Sequence, residues 1–448
     1  MLETYFYPAT MKTPKEIAAF EIVKTLVEHG HRALYAGGCV RDMVMGMPST
    51  GDIDIATSAT PETVRRLFEN VIPVGEHFGV VIVVRRDIPF EVATFRRDKG
   101  AADGRHPDSV EFVNEKEDAL RRDFTINGMF YDPLTETILD YVGGGQDIAG
   151  KVVRAIGDAR PRFTEDYLRM IRAVRFAAKF EFTIEEATWA SLRANAAGIL
   201  RISAERVFME LDKILLGLHG DRALVQLHQS GLLGVILPEV EKLAGVEQPK
   251  EFHPEGDVFA HTVRALSLLC APSQVTAWSV LLHDIGKPAT MVVADRIRFS
   301  NHDHVGASMA ERLLRRLKAP GALLENVYEV VDNHMNFINV QKMRLSTLKR
   351  FLSRPTMVDE LEVHRVDCLA SHGDISNYTF IKQRQAELSV EEIRPPALIS
   401  GKDLIALGLS PGPQFGKILG EAYDLQLEEK LTSREEALAW VKNSYIVK

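Results

Sequence analysis

The chain has 448 residues, enough for about three domains at ~150 residues each, with 46% hydrophobic and 26% charged residues. A net charge of −8 excludes a protein coated in basic patches that binds any nucleic acid indiscriminately; Arg96-Arg97, Arg121-Arg122 and the arginines between residues 160 and 175 read either as a local RNA path or as solvated helix faces. Three cysteines without Cys-x-x-Cys spacing exclude a disulfide framework and a structural zinc site, and the lack of a leader or long apolar run predicts a soluble, cytoplasmic protein with no membrane segment.

Residues 14–30 carry Ile17, Phe20, Val23, Leu26 and Val27 at helical spacing and end on Gly30, which predicts an amphipathic helix packed on a sheet. Residues 33–36 follow as a short strand, Gly37 and Gly38 as a tight turn, and residues 39–46 as a helix closed by Gly46. Two glycines let the backbone approach an anion closely and Arg41 adds a full positive charge, so the turn suits a triphosphate. Gly51-Asp52-Ile53-Asp54-Ile55 reads as a strand whose alternation puts Asp52 and Asp54 on one face, about 7 Å apart. Such a pair suits Mg²⁺, which takes few protein carboxylates and completes its shell with water and phosphate oxygens. A lone Asp-x-Asp is usually a solvated strand end, but the order Gly-Gly, Arg-Asp, Asp-x-Asp is far more specific. Thr60-Pro61-Glu62 starts a helix through Leu67, and residues 80–84 and 90–95 read as strands, so the head is mixed α/β. Glu91, on the second of those strands, either faces solvent or completes a three-acid site as metal ligand or base.

Residues 36–55 resemble the signature of class II tRNA nucleotidyltransferases, the CCA-adding enzymes and bacterial poly(A) polymerases. The resemblance implies Mg²⁺ on Asp52 and Asp54 with Glu91 beside them, and a triphosphate gripped by Gly37, Gly38 and Arg41. Residues 96–109, polar and rich in small side chains, read as a flexible loop and match the family's mobile loop in place and composition. The block from Asp118 to Met129 resembles the second family motif, in which Arg122 and Asp123 would meet the phosphates and ribose of the incoming nucleotide, supported by Asn127. That assignment fits an arginine that neutralises phosphate and a carboxylate that accepts from a ribose hydroxyl; the bland reading is an ion-paired helix end.

Gly143-Gly144-Gly145 and the run to Arg160 lead out of the head, after which the pattern turns helical. Residues 164–176 begin with a good cap and carry Asp166, Arg169 and Arg172 on neighbouring turns of one helix face. Plainly read, Asp166 and Arg169 form an i,i+3 salt bridge worth roughly a few tenths of a kcal/mol. The resemblance gives the pair a sharper role: an acceptor beside donors complements cytosine and adenine and mismatches guanine and uracil, selecting C and A without a template. Arg172 and Arg175 would then buttress the pair or hold phosphates. Residues 200–217, around Ile202-Ser203-Ala204-Glu205-Arg206-Val207, resemble the next family motif, a helix start that braces the preceding helices.

A second constellation comprises His261, His283-Asp284, His302, His304, His334 and Asp367. Four of these, His261, His283, Asp284 and Asp367, resemble the minimal pattern of the HD-domain phosphohydrolases, implying a divalent transition metal shared by the adjacent His and Asp. In the tail, Gly408-Leu409-Ser410-Pro411-Gly412-Pro413 with Lys417 reads either as a turn that contacts a backbone phosphate of tRNA or as a plain turn between packed helices.

The expected architecture is therefore an α/β nucleotidyltransferase head over residues 1–155, followed by an all-α neck (156–220), a body with the HD domain (221–390) and a tail (391–448). The expected function is Mg²⁺-dependent addition of C and A from CTP and ATP to the 3′ end of tRNA. An enzyme adding only A, or a poly(A) polymerase, is the nearest alternative; an HD phosphohydrolase with an RNA-binding head is the alternative from another class.

Overall fold

A computed structural model of the chain describes residues 3–6, 13–48, 51–74, 78–99, 109–249, 251, 253–254 and 256–446. The chain separates into two compact units, Met1–Pro238 and Glu239–Lys448.

Besides a short parallel pair of Val152–Val153 with Thr183–Ile184, the described strands of the first unit are β1 (Glu3–Phe6), β2 (Ala33–Ala36), β3 (Asp54–Thr57), β4 (Val71–Ile72), β5 (Val80–Arg85), β6 (Ile88–Thr94), β7 (Arg96–Lys99), β8 (Ser109–Phe112), β9 (Phe130–Asp132) and β10 (Thr137–Asp140). Among the described residues, eight of them form one mixed sheet in the order β1-β10-β9-β2-β3-β6-β5-β4, and β7 pairs with β8 as a separate ribbon. Two registers position the head site. Antiparallel pairing of Ala36 with Asp54 sets the end of β2 beside the start of β3, and parallel pairing of Ile55 with Val92 brings the start of β3 to Glu91 on β6.

The α-helices of this unit up to Gln229, before a short last one at Leu232–Ile236, are α1 (Pro14–Glu28), α2 (Gly38–Val44), α3 (Pro61–Leu67), α4 (Glu115–Leu120), α5 (Gly144–Ala149), α6 (Ala159–Glu165), α7 (Leu168–Lys179), α8 (Glu186–Asn195), α9 (Ala204–Leu215) and α10 (Gly220–Gln229). Thr13 opens α1 with a capping box to Glu16, and Pro14 occupies the first turn, where its missing N–H costs nothing. Ala18, Ala19, Ile22, Val23 and Leu26 of α1 are buried with Tyr35, Ile55, Val81, Val83 and Val92 of the sheet. Leu34, Ala56, Phe95 and Phe130 form a second buried cluster, so β2 is covered on both faces.

Three local expectations differ from the structure. The strand expected to carry both acids begins only at Asp54, leaving Asp52 outside it. The loop expected from residue 96 is strand through Lys99 and again from Ser109, and the intervening residues 100–108 lie outside the described ones. The single helix expected over residues 164–176 is two, because α6 ends at Asp166, whose backbone is extended, and α7 starts at Leu168.

The second unit is helical apart from a hairpin of Met291–Val293 with Ile297–Phe299. Its tail has its own apolar cluster of Ile399, Leu404, Ile418, Ala422, Ala437 and Val441. No helix of the described residues is long and apolar enough to cross a membrane.

Candidate active site and metal centre

In the first unit a cavity of about 370 Å³ is lined by Gly37, Gly38, Arg41, Asp54, Arg121, Arg122, Asp123, Asn127, Asp166, Arg169, Arg172 and Phe176. Residues drawn from four separate stretches of sequence thus meet on one wall. Gly37 sits at φ 74°, a conformation that disfavours other residues, and a Cβ there would lie 3.5 Å from Asp54 Oδ2 and from Arg122 Nη1. The turn is tight because it passes directly over the acid.

Asp54 begins β3, and burial, with the Glu91 carboxylate next, pushes its pKa up to about 6. Asp52 stands apart. Its side chain is 92% exposed and accepts from Lys15 Nζ at 2.8 Å, the same amine donating to the Gly51 carbonyl at 3.2 Å. Sheet alternation therefore does not pair the two acids, and Lys15 competes with a cation for the Asp52 carboxylate. Glu91 is exposed beside Asp54 on the neighbouring strand.

Arg41 is 5% exposed and heavily constrained. Its Nε and Nη2 donate to Asp42 Oδ1 at 2.8 and 2.7 Å, and its Nη1 donates to Asn127 Oδ1 at 2.7 Å. Asn127 in turn donates through Nδ2 to Asp123 Oδ1 at 3.1 Å, and Asp123 Oδ2 accepts from Arg172 Nε and Nη2 at 2.9 and 2.7 Å. Burial opposes the charge on Asp123, yet Arg172 and the Asn127 hydrogen bond hold its pKa down to about 2. Arg122 donates to Asp118 Oδ2 at 3.0 Å, as Arg121 does to Asp118 Oδ1 at 2.6 Å, so buried Asp118 anchors both guanidiniums.

The expected Asp166–Arg169 salt bridge is not among the ion pairs either residue makes. Asp166 Oδ1 instead accepts from the Leu168 N–H at 3.1 Å, capping α7, and Asp166 Oδ2 accepts from Arg206 Nη2 at 2.8 Å. Arg169 donates to Glu165 Oε2 at 2.8 Å and to the Arg162 carbonyl at 3.1 Å. Both side chains still line the cavity. Arg175 does not; its Nε donates to Glu210 Oε2 at 2.7 Å. Arg206 and Glu210 both lie on α9, which braces α7 as its motif implies, but the residues doing so carry no local signal.

In the second unit, His261 lies on the helix Val258–Ser267, His283 and Asp284 at the end of Gln274–Leu282, His302 at the start of His302–Arg316, His334 after Gly321–Asn333 and Asp367 on Met357–Ala370. Their ligand atoms fall into two groups, each within 4.8 Å: His261, His283 and Asp367, then Asp284, His302 and His334. His283 and Asp284 fall in different groups, yet Asp284 Oδ2 also lies 3.2 Å from His283 Nε2 and 3.9 Å from His261 Nε2, within reach of the first group. Asp284 Oδ1 lies 3.5 Å from His302 Nε2. His304 belongs to neither group and pairs with Asp332 at 2.6 Å.

The donor set fits a metal. Nδ1 of His283, His302 and His334 lies 2.8, 2.8 and 2.6 Å from the carbonyls of Val280, Phe299 and Val331, which fixes the proton on Nδ1 and leaves each Nε2 bare toward the centre. Burial, with His283 and His302 next, lowers His334 to about 4, so its imidazole is neutral. Burial opposes ionisation of Asp284, but His283 and Lys287 hold its carboxyl well below the usual range. The buried Asp284 Oδ2 has no hydrogen-bond partner of good geometry despite Lys287 Nζ at 2.7 Å, as a metal ligand without its ion would. A cavity of about 910 Å³ opens over the centre, with Lys287, Arg296 and Arg298 in its wall.

Family models match in three places: the poly A polymerase head domain over residues 33–154, the probable RNA and SrmB-binding site of polymerase A over 181–243, and the HD domain over 258–368. The CCA-adding enzyme of Lactococcus lactis subsp. cremoris strain MG1363 is 33% identical over 431 residues, covering 95% of this chain and 94% of its own length. That of Bacillus subtilis strain 168 is 30% identical over 400 residues, covering 89% and 90%. Among solved structures, the Bacillus stearothermophilus CCA-adding enzyme in complex with CTP superposes with a TM-score of 0.75 at 27% identity, covering 96% of this chain and 98% of that one.

Proposed function

The chain belongs to the CCA-adding enzymes, and we propose that the head cavity is where it extends the 3′ end of tRNA with C and A from CTP and ATP. The reaction joins the terminal 3′-hydroxyl oxygen to the α-phosphorus of the nucleotide; the bond to the β-phosphate breaks and pyrophosphate leaves. Asp54 with Asp52 would hold Mg²⁺, which when bound would lower the pKa of that hydroxyl and screen the leaving pyrophosphate. Glu91, beside Asp54, takes the hydroxyl proton. Gly37, Gly38 and Arg41 grip the triphosphate, Arg122 adds a second cation, and Asp123 with Asn127 receives the ribose. Asp166 and Arg169 read the base from the cavity wall, while Arg172 and Arg175 hold the readers in place through Asp123 and Glu210. The observation that carries this reading is the convergence of these separate motifs on one cavity next to Asp54.

In the second unit His261, His283 and Asp367, with Asp284, His302 and His334 beside them, would hold divalent metal, and the basic wall of the cavity over them suits an anionic phosphate ester. The functional division is a head over 1–155, a neck over 156–220, a body over 221–390 and a tail over 391–448 whose Gly412 turn contacts tRNA. Helix α10 packs on α7, so the structural unit runs past the neck to Pro238. Three free cysteines support a reducing, cytoplasmic setting.

The test is incorporation of labelled CTP and ATP, separately and together, into tRNA transcripts lacking CCA or ending in CC, with Asp54→Ala as control. Full CCA on the bare transcript, lost in Asp54→Ala, is the expected result. Addition of A to the CC-ended transcript alone would replace it with an A-adding activity, and no incorporation by wild type would shift the function to the metal centre.

A further inference from the structure

We propose that Phe176 is a positioning residue for nucleotide addition, its ring face setting the orientation of Arg41 and Arg172 at the cavity. The inference deepens the proposed function and rests on its assignment of Arg41 to the triphosphate. Three guanidinium carbons lie over this one ring: Arg41 at 5.3 Å from the centroid, Arg172 at 5.3 Å and Arg175 at 4.3 Å. Phe180 stacks on Phe176 with centroids 6.1 Å apart and planes 6° from parallel, and takes Arg41 at 4.6 Å and Lys179 at 5.2 Å. Two phenyl rings thus serve four cations. Phe176 is 4% exposed and lines the cavity.

The carboxylates alone do not fix these guanidiniums. Asp42 takes Nε and Nη2 of Arg41 while Asn127 takes its Nη1, Asp123 takes one edge of Arg172, and Glu210 takes Nε of Arg175. Guanidinium N–H bonds run in the plane of the group and leave its flat faces uncovered, and Arg172 beside Arg175 opposes its charge in a buried setting. A further acid would restrain them, but it would also repel a triphosphate. The negative face of an aromatic ring attracts cations without adding net charge, so it gathers the arginines and leaves their potential for the nucleotide. A leucine fills similar space and lacks that face.

The ordinary alternative is core packing, since Phe176 also meets Phe124 edge-on at 5.9 Å. Packing depends on shape; the proposed role depends on the ring's charge distribution. The experiment places mono-, di- and trifluorophenylalanine at position 176 of the full chain, drawing negative charge from the ring face with little change of shape. For each protein, KM for CTP and kcat on tRNA lacking CCA are measured with the melting temperature, beside Phe176→Leu and Arg41→Lys. Stepwise growth of KM with each fluorine, reaching roughly tenfold while kcat and melting temperature hold, is expected for desolvated cation–π contacts. A flat fluorine series with a raised KM in Arg41→Lys overturns the inference and leaves the triphosphate assignment standing. An unchanged KM in Arg41→Lys overturns both, and a KM that moves only where the melting temperature also falls assigns Phe176 to the core.

Discussion

Asp54 and Asp123 border the same cavity with pKa values displaced in opposite directions, about 6 and about 2: burial, with Glu91 next, raises the first, while at the second Arg172 and the Asn127 hydrogen bond outweigh burial. The Asp123 displacement is a stability statement. Its folded value lies below the ordinary 3.8, so its contribution is fully present above pH ~4 and is lost as pH falls through about 2. The size is about 2 kcal/mol. The gap in unfolding free energy between wild type and Asp123→Asn, measured in urea across a pH series, is expected to be widest near neutrality and to narrow below pH ~4. Arg206 makes a different kind of prediction. It is the side chain that holds Asp166 Oδ2, so Arg206→Met releases the carboxylate proposed to read the base while leaving it in place. Losing a charge-assisted bond of about 2 kcal/mol predicts a fall of roughly tenfold or more in kcat/KM for CTP, with relative misincorporation of UTP rising. Unchanged selectivity would remove Arg206 from the reading site. The family resemblance singled out Asp166 and Arg169, and both line the cavity, but the partners that hold them were not legible. Arg206 lies 40 residues along the chain from Asp166, and only the packing of α9 on α7 brings it there.

Helix boundaries explain where sequence spacing misled. Three-residue steps put Asp166 on the face of Arg169 only if one helix runs through both, and an aspartate competes with a continuous helix by capping the next one. Asp166 takes that course: its carboxylate accepts from the Leu168 N–H, and Tyr167 turns into α7. The bend is secured by Gly198, where a Cβ would overlap the Tyr167 ring. Gly198→Ala therefore displaces Tyr167 and the adjacent Asp166, with an expected destabilisation of about 1–3 kcal/mol and a raised KM for nucleotide, read by thermal melting and steady-state incorporation. On α9, Glu210 is 3% exposed and accepts from Arg175 at 2.7 Å and Lys213 at 3.0 Å. Glu210→Ala leaves the Arg175 guanidinium inside without its acid, so a loss of about 3–5 kcal/mol in urea unfolding is expected. A loss under ~1 kcal/mol would mean that water reaches Arg175 and the pair is a surface one. β3 shows the same lesson on a strand: alternation was the right rule, but Asp52 lies before the first paired residue, where Lys15 decides its direction.

Each unit carries a complete set of groups of its own, the head cavity drawn wholly from residues before Pro238 and the metal centre wholly from residues after Glu239. Four members of the metal centre were visible as a sequence pattern, and the histidines at 302 and 334 were visible only as unassigned neighbours. Their grouping with Asp284 depends on how His302–Arg316 packs on Gly321–Asn333, which no spacing encodes. Gly286 tests that packing through the backbone of His302 with every ligand side chain kept, because its Cβ would overlap the His302 carbonyl and press on the Gly306 amide. Gly286→Ala is expected to push His302 away from Asp284 and thereby weaken one group of ligands while sparing the other, made by His261, His283 and Asp367. After chelation and reloading with a divalent transition metal, the full chain is expected to retain about two ions at this centre and Gly286→Ala about one, with CCA addition by both proteins equal when Mg²⁺ is supplied. Equal metal content would show that His302 and His334 are core histidines and no ligands, and a parallel loss of CCA addition would show that the two sets of groups do not act independently.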